Sequence, residues 1–298
     1  MRAILVVVAS AICFGTTGTA QAFGPDAASS SSIGLTRIVA GGALLGILAW
    51  RVARRTGARR AAASRSQVLA VAIGGLAVLA YQPTFFAGAR LNGVAIGAVV
   101  TLGAAPALTG LLEWALTRVV PSRTWCVGTT CAVIGIVLLS GVTEGAGQDV
   151  SIPGLLGSLG AGLSYAVYTV AAKRLLDDGW SPTAAIGSLF TAAALAGVPF
   201  LLLVDVSWIR SSTGAALVAW LAVVTVAVAY VLFAVGLRSL PASTVSTLTL
   251  VEPLTACLLG LLLLDEQLSL TGWVGLGVLL AGVATLARPQ PAPVGVAT

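Results

Sequence analysis

The stretch PASTVSTLTLVEPLTACLLGLLLLDEQLSLT, residues 241–271, decides how the rest of the chain is read. It is an apolar run as wide as a bilayer, with Glu252 and Pro253 near its middle. Neither residue is at ease in hydrocarbon. Pro253 lacks a backbone N–H and crowds the carbonyl of Thr249, while a carboxylate at that depth needs a partner, a proton or water. Pro253 is therefore expected to break a helix. Glu252, with Thr249 and Thr255 three residues to either side on the same broad face, is the natural coupling residue, binding a proton on one side of the membrane and releasing it on the other. A glutamate that merely satisfies the proline break is the structural alternative.

Working outward, apolar runs of similar width occupy residues 4–23, 33–50, 68–88, 93–116, 125–142, 153–172, 182–204, 214–237 and 270–287. With 58% hydrophobic and 9% charged residues, the surface suits lipid rather than water. Together with the run at 241–264 these make ten spans with short connectors, which leaves no room for a soluble domain.

The runs repeat. At a constant offset of about half the chain, Phe86 matches Phe233, Ala95 matches Ala242, Pro106 matches Pro253, Thr124 matches Thr271, Gly128 matches Gly275 and Gly135 matches Gly282. Tyr81 and Tyr230 join after a small shift in register. Pro106 is thus a second expected helix break. Five spans in each half force the second half to enter the membrane from the opposite side. The expected fold is an all-α integral membrane protein of ten transmembrane helices, built as two inverted five-helix repeats with a site between them near the midplane. The first repeat covers 1–142, a connecting loop 143–152, the second repeat 153–288 and a cytoplasmic tail 289–298.

The charges fix the expected orientation. With the N-terminus cytoplasmic, the connectors on that side hold every basic residue except Arg37, Arg90 and Arg210, including the cluster Arg51, Arg54, Arg55, Arg59, Arg60 and Arg65. The other side collects Asp26, Glu144, Asp149, Asp205, Asp265 and Glu266. This is the positive-inside distribution for an even number of spans with both termini cytoplasmic in a bacterial-type inner membrane. The net charge of +6 does not point to nucleic acid, because the basic cluster has no interleaved aromatics. A signal peptide is the rival reading of the N-terminus, since Ala20-Gln21-Ala22 resembles a cleavage site; cleavage would leave nine spans and break the repeat.

Several chemistries drop out. The chain has no histidine, which removes Ser-His catalysis and histidine relays or metal sites. Cys13, Cys126, Cys131 and Cys257 all fall within apolar runs and read as small hydrophobes, so neither a disulfide, a metal nor a cofactor is expected. No phosphate-binding G-x-x-x-x-G-K-[ST] loop occurs. No catalytic residue is assigned.

The expected substrate site is built from polar side chains at mid-span. Tyr81, Tyr165, Tyr168 and Tyr230 lie well inside their spans, where a hydroxyl wants a partner, and one shared pocket would supply it. Gln82 beside Tyr81, Gln21 in the polar first span and Thr249 complete the set; core packing is the alternative for the tyrosines, and close helix packing for the first span's threonines and glycines. Arg37, about one turn inside the second span, is expected to snorkel outward, and Glu113, beside Trp114, to be solvated. Trp50, Trp114, Trp125, Trp180, Trp208 and Trp273, near span ends, read as interface anchors. The glycine faces of the fifth and tenth spans suit packing within one subunit or in a homo-oligomer.

Val251-Glu252-Pro253-Leu254, followed by Leu264-Asp265-Glu266 and the glycine-spaced run from Gly272 to Gly282, resembles the ninth and tenth helices of the EamA-type family of the drug/metabolite transporter superfamily. The similarity extends over the whole chain. It implies two inverted five-helix bundles, a central cavity lined by spans 1–4 and 6–9, and export of small metabolites, with amino acids the substrates expected here. The acidic pattern is not duplicated: Ala105 stands opposite Glu252 in the repeat and Val119 opposite Glu266. Nor does the first span carry the acidic residue with which small multidrug exporters exchange protons for cationic drugs. The expected mechanism is alternating access, proton-coupled through Glu252; an uncoupled facilitator is the alternative, and a non-transporting membrane interaction protein a further one.

Overall fold

The computed structural model describes residues 1–56, 63–142, 150–264 and 267–287. Arg59, Arg60, Glu144, Asp149, Asp265, Glu266 and Arg288, most of the 143–152 connector and the 289–298 tail lie outside the described residues. Among the described residues the chain is helical without strands: α1 (Arg2–Ala22), α2 (Ser30–Arg55), α3 (Arg65–Asn92), α4 (Val94–Thr117), α5 (Arg123–Leu139), α6 (Ile152–Asp177), α7 (Pro182–Gly197), α8 (Ser212–Trp220), α9 (Ala229–Leu237), α10 (Ala242–Leu248), α11 (Val251–Leu263) and α12 (Leu270–Ala287). A 3-10 turn extends α7 to Leu203, and a π-helical segment, Leu221–Val228, joins α8 to α9.

Eight of these helical stretches are long and apolar enough to cross a membrane: α1, α2, α3, α4, α6, Pro182–Leu203, Ser212–Leu237 and Ala242–Leu263. α5 and α12 are apolar but shorter. The shortness of α5 has local causes. The Ser122 side chain caps its start by accepting from the Trp125 N–H, and Gly141, at φ +70°, turns the chain just beyond its end.

The side chains are sorted as for lipid. Ser10, Thr101, Thr109, Thr169, Thr225 and Thr247 are fully buried, whereas Leu202 is 89% and Leu262 76% exposed. Some of these hydroxyls bond across helices: Ser10 Oγ of α1, for instance, donates to the Ala229 carbonyl at 2.7 Å. The chain is a multi-pass membrane protein.

Small residues set the helix contacts. α5 packs along α12, α3 and α4 along α6, α2 along α7, and α1 against α9 and α11. At Gly282 an added Cβ would lie 2.6 Å from the Ala132 nitrogen and 2.7 Å from the Gly128 carbonyl, so only a glycine fits. Gly128, Gly135, Gly275 and Gly282 are thus all used between α5 and α12 of one chain.

The two prolines behave differently. Pro253 is the third residue of α11, where a missing N–H is harmless, and the helix breaks at Thr249-Leu250 just before it. The Thr249 carbonyl, denied the N–H of residue 253, accepts from Glu252 at 2.8 Å instead. Pro106, by contrast, sits inside an unbroken α4, which corrects the second expected break. A proline within a packed membrane helix removes one hydrogen bond, and α4 is held on α6 through the turn before it, where Thr101 Oγ1 donates to the Ser158 carbonyl at 3.1 Å.

Two further expectations are corrected. The Glu113 carboxylate is not simply solvated: it accepts from the N–H of Ala242 at 2.7 Å and of Ser243 at 3.0 Å, and from the Ser243 hydroxyl, so it caps the start of α10 from across the bundle. Trp208 is no interface anchor. It is buried against Ile33, Leu217 and Leu221, and its indole N–H donates to Ser32 Oγ at 2.6 Å. Trp50 does lie exposed, with the Arg54 guanidinium 4.1 Å above its ring.

Candidate functional site

A cavity opens among α1, α2, α3, α4, α6, α9 and the α10–α11 break. Tyr81, Gln82, Tyr165, Tyr168, Tyr230, Thr249 and Glu252 all line it. Gln21 does not; it lies in the last turn of α1, its carbonyl accepting from the Gly24 N–H at 2.9 Å.

Local structure aims each of these groups. Tyr165 and Tyr168, one turn apart on α6, present their rings at a centroid distance of 5.1 Å. The Tyr165 hydroxyl shares a hydrogen bond of 2.8 Å with Thr249 Oγ1, tying α6 to the α10–α11 break. The Tyr168 and Tyr230 hydroxyls meet at 3.4 Å. Tyr230 is the second residue after the π-helical segment and is wedged between Phe14 and Phe190, at centroid distances of 4.8 and 4.2 Å. Tyr81 stacks on Phe85 at 6.0 Å. The tyrosines therefore form a wall that is apolar in its rings and polar at its tips.

Glu252 owes its position to the helix break. Its N–H closes the turn onto Thr249, and at the second position of α11 its side chain faces the cavity near the positive end of a helix dipole. α1 lies close behind: an added Cβ at Gly15 would come within 2.7 Å of the Glu252 carbonyl. The glycines and hydroxyls of the first span thus serve packing at Gly15 and Ser10, which leaves the inner wall of the cavity to Phe14.

Sequence reasoning missed Arg37, Phe14 and Ser246, all of which line the cavity. Arg37 does not snorkel outward. Its Nη2 donates to the Thr225 carbonyl in the π-helical segment at 3.3 Å, and its Nε–H is buried without a partner. A π-turn leaves no mark in an apolar sequence, so nothing near Thr225 announced a carbonyl for Arg37 to meet. The one available signal was Thr36-Arg37 itself, two polar residues in a run that otherwise buries apolar ones.

The model of the EamA-like transporter family matches residues 1–141 and again 152–288. The chain belongs to that family. Within the EamA-like family it is 33% identical over 282 residues to the uncharacterized transporter YwfM of Bacillus subtilis, covering 95% of this chain and 92% of that protein. It is also 33% identical over 189 residues to the threonine/homoserine exporter RhtA of Escherichia coli K12, covering 61% of each. A crystal structure of a protein 21% identical in sequence superposes with a TM-score of 0.79 over 96% of this chain and 98% of its own, which shows the same fold.

Proposed function

We propose that this EamA-like protein is a secondary transporter that exports small polar metabolites, amino acids foremost, across a bacterial-type inner membrane by alternating access. α5 and α12 complete ten spans, five in each of two inverted repeats, with both termini cytoplasmic. The observation that carries this reading is the gathering of four tyrosines, Gln82, Thr249 and Glu252 in one cavity deep in the bundle of a transporter-family chain. A lining of aromatic rings with a few polar tips and one carboxylate suits a small polar solute. The exporter RhtA, which handles threonine and homoserine by its name, supports the substrate class. Glu252 couples the step, holding a proton in one phase of the cycle and giving it up in the other.

Reconstituting the purified chain into liposomes loaded with labelled L-threonine or L-homoserine tests this. Efflux well above that of protein-free liposomes is expected. No efflux of these or any other common amino acid would defeat the reading, and efflux indifferent to a pH gradient would make the protein a facilitator.

A further inference from the structure

We propose that Arg37 is the carboxylate-binding residue of this cavity and that the substrate is a zwitterion, an α-amino acid whose carboxylate meets Arg37 while its ammonium faces Glu252. The inference rests on the transport reading above and deepens it.

Three observations carry it. First, Arg37 is under-used. A guanidinium offers five N–H donors in a planar fork, yet among the described residues the hydrogen bond it makes is one long contact to the Thr225 carbonyl, and its Nε–H is buried without a partner there. A buried cationic donor left this way is unfavourable until an anion arrives, and a carboxylate fits the fork with two parallel bonds. Second, Glu252 and Arg37 do not form a contact ion pair. Both line the cavity, but they are not within the 4.0 Å of an ion pair; among the described residues the ion pair is Lys173–Asp177, neither of which lines the cavity. Opposite charges that line one cavity without pairing match a molecule with both charges and mismatch one with either alone. A cationic drug would leave Arg37 facing a like charge, and an uncharged nucleoside would leave both groups unpaired. Third, the same lining carries tyrosines, with a polar hydroxyl on an apolar ring, and Thr249, which suits the ammonium and a small side chain.

The test uses the full-length chain in detergent and follows its thermal stability against the twenty common L-amino acids, each paired with its own carboxamide. Native protein, Arg37→Met and Arg37→Lys are compared. The native chain is expected to favour the best-binding acid over its amide by about tenfold or more, the scale of a hydrogen bond to a charged group. In Arg37→Met the ratio falls to about one, and in Arg37→Lys, which keeps the charge without the fork, it lies between. Because the ratio is taken within each protein, a general loss of stability cancels, and Arg37→Lys serves if Arg37→Met does not fold. Equal binding of acid and amide by the native chain, or an undiminished preference in the Arg37 variants, overturns the assignment while leaving amino-acid transport standing. Binding of neither acids nor amides overturns both.

Discussion

Glu113 holds Ser243 twice, its carboxylate accepting from both the backbone N–H and the hydroxyl of that residue, and it takes the Ala242 N–H as well. α4 is thereby pinned to the start of α10, the helix that leads to Glu252. Glu113→Ala removes the acceptor from three donors and should lower stability by about 1–3 kcal/mol, visible as a fall in the thermal midpoint in detergent. Glu113→Gln, which still offers one carbonyl oxygen, should fall less. Equal midpoints for native protein and Glu113→Ala would show that the contact contributes nothing.

The α5–α12 seam gives a contrast between two glycines of one helix. Gly282→Ala would force a Cβ against the Ala132 nitrogen and the Gly128 carbonyl, both backbone atoms, and should destabilise by about 1–3 kcal/mol. Gly277→Ala meets nothing within 4 Å and should instead gain about 0.5–1 kcal/mol from the lost freedom of the unfolded chain. Thermal melts of the two variants should move in opposite directions.

Ser32 both receives the Trp208 indole N–H and donates to the Asp205 carbonyl at 2.6 Å. Ser32→Ala strands a buried donor and should cost about 1–3 kcal/mol. Adding Trp208→Phe removes the stranded group, so the double variant should be less destabilised than the two single changes combined. Simple additivity would mean that the two side chains are not coupled.

At the helix break, Pro253→Ala restores an N–H that competes with Glu252 for the Thr249 carbonyl and straightens α10 into α11. Transport should fall by about tenfold, equivalent to roughly 1.4 kcal/mol of misplacement at the carboxylate, while the thermal midpoint holds or rises. Pro106→Ala, in a helix that is already continuous, should transport at close to the native rate. Similar losses in both variants would mean that the break does not aim Glu252.

The residues that the sequence made conspicuous were those whose chemistry is costly at mid-membrane. Four tyrosines, Gln82, Thr249 and Glu252 could be singled out one by one because each polar tip needed a partner, and they converge on one cavity. What stayed hidden were partners supplied by distant backbone. Arg37 reaches a carbonyl that only the π-helical turn offers, and Glu113 finds N–H groups at the far helix start of α10. Neither alignment leaves a composition or a period to read. Pro106 and Pro253 hold matching places in the repeat, yet Pro106 sits inside a continuous helix and Pro253 just after a break. The surroundings decide: Pro253 falls at the first turn of a helix that starts after Leu250, while Pro106 is fastened on both sides by α4 itself.

Inside-out membrane vesicles bearing the native chain or Glu252→Gln give the most direct measurement: uptake of labelled L-threonine and L-homoserine with and without an imposed pH gradient, acid inside. A proton-coupled exporter centred on Glu252 should accumulate substrate only while the gradient lasts, and Glu252→Gln should lose that accumulation yet still equilibrate. Gradient-driven accumulation of equal size in native chain and Glu252→Gln would contradict it.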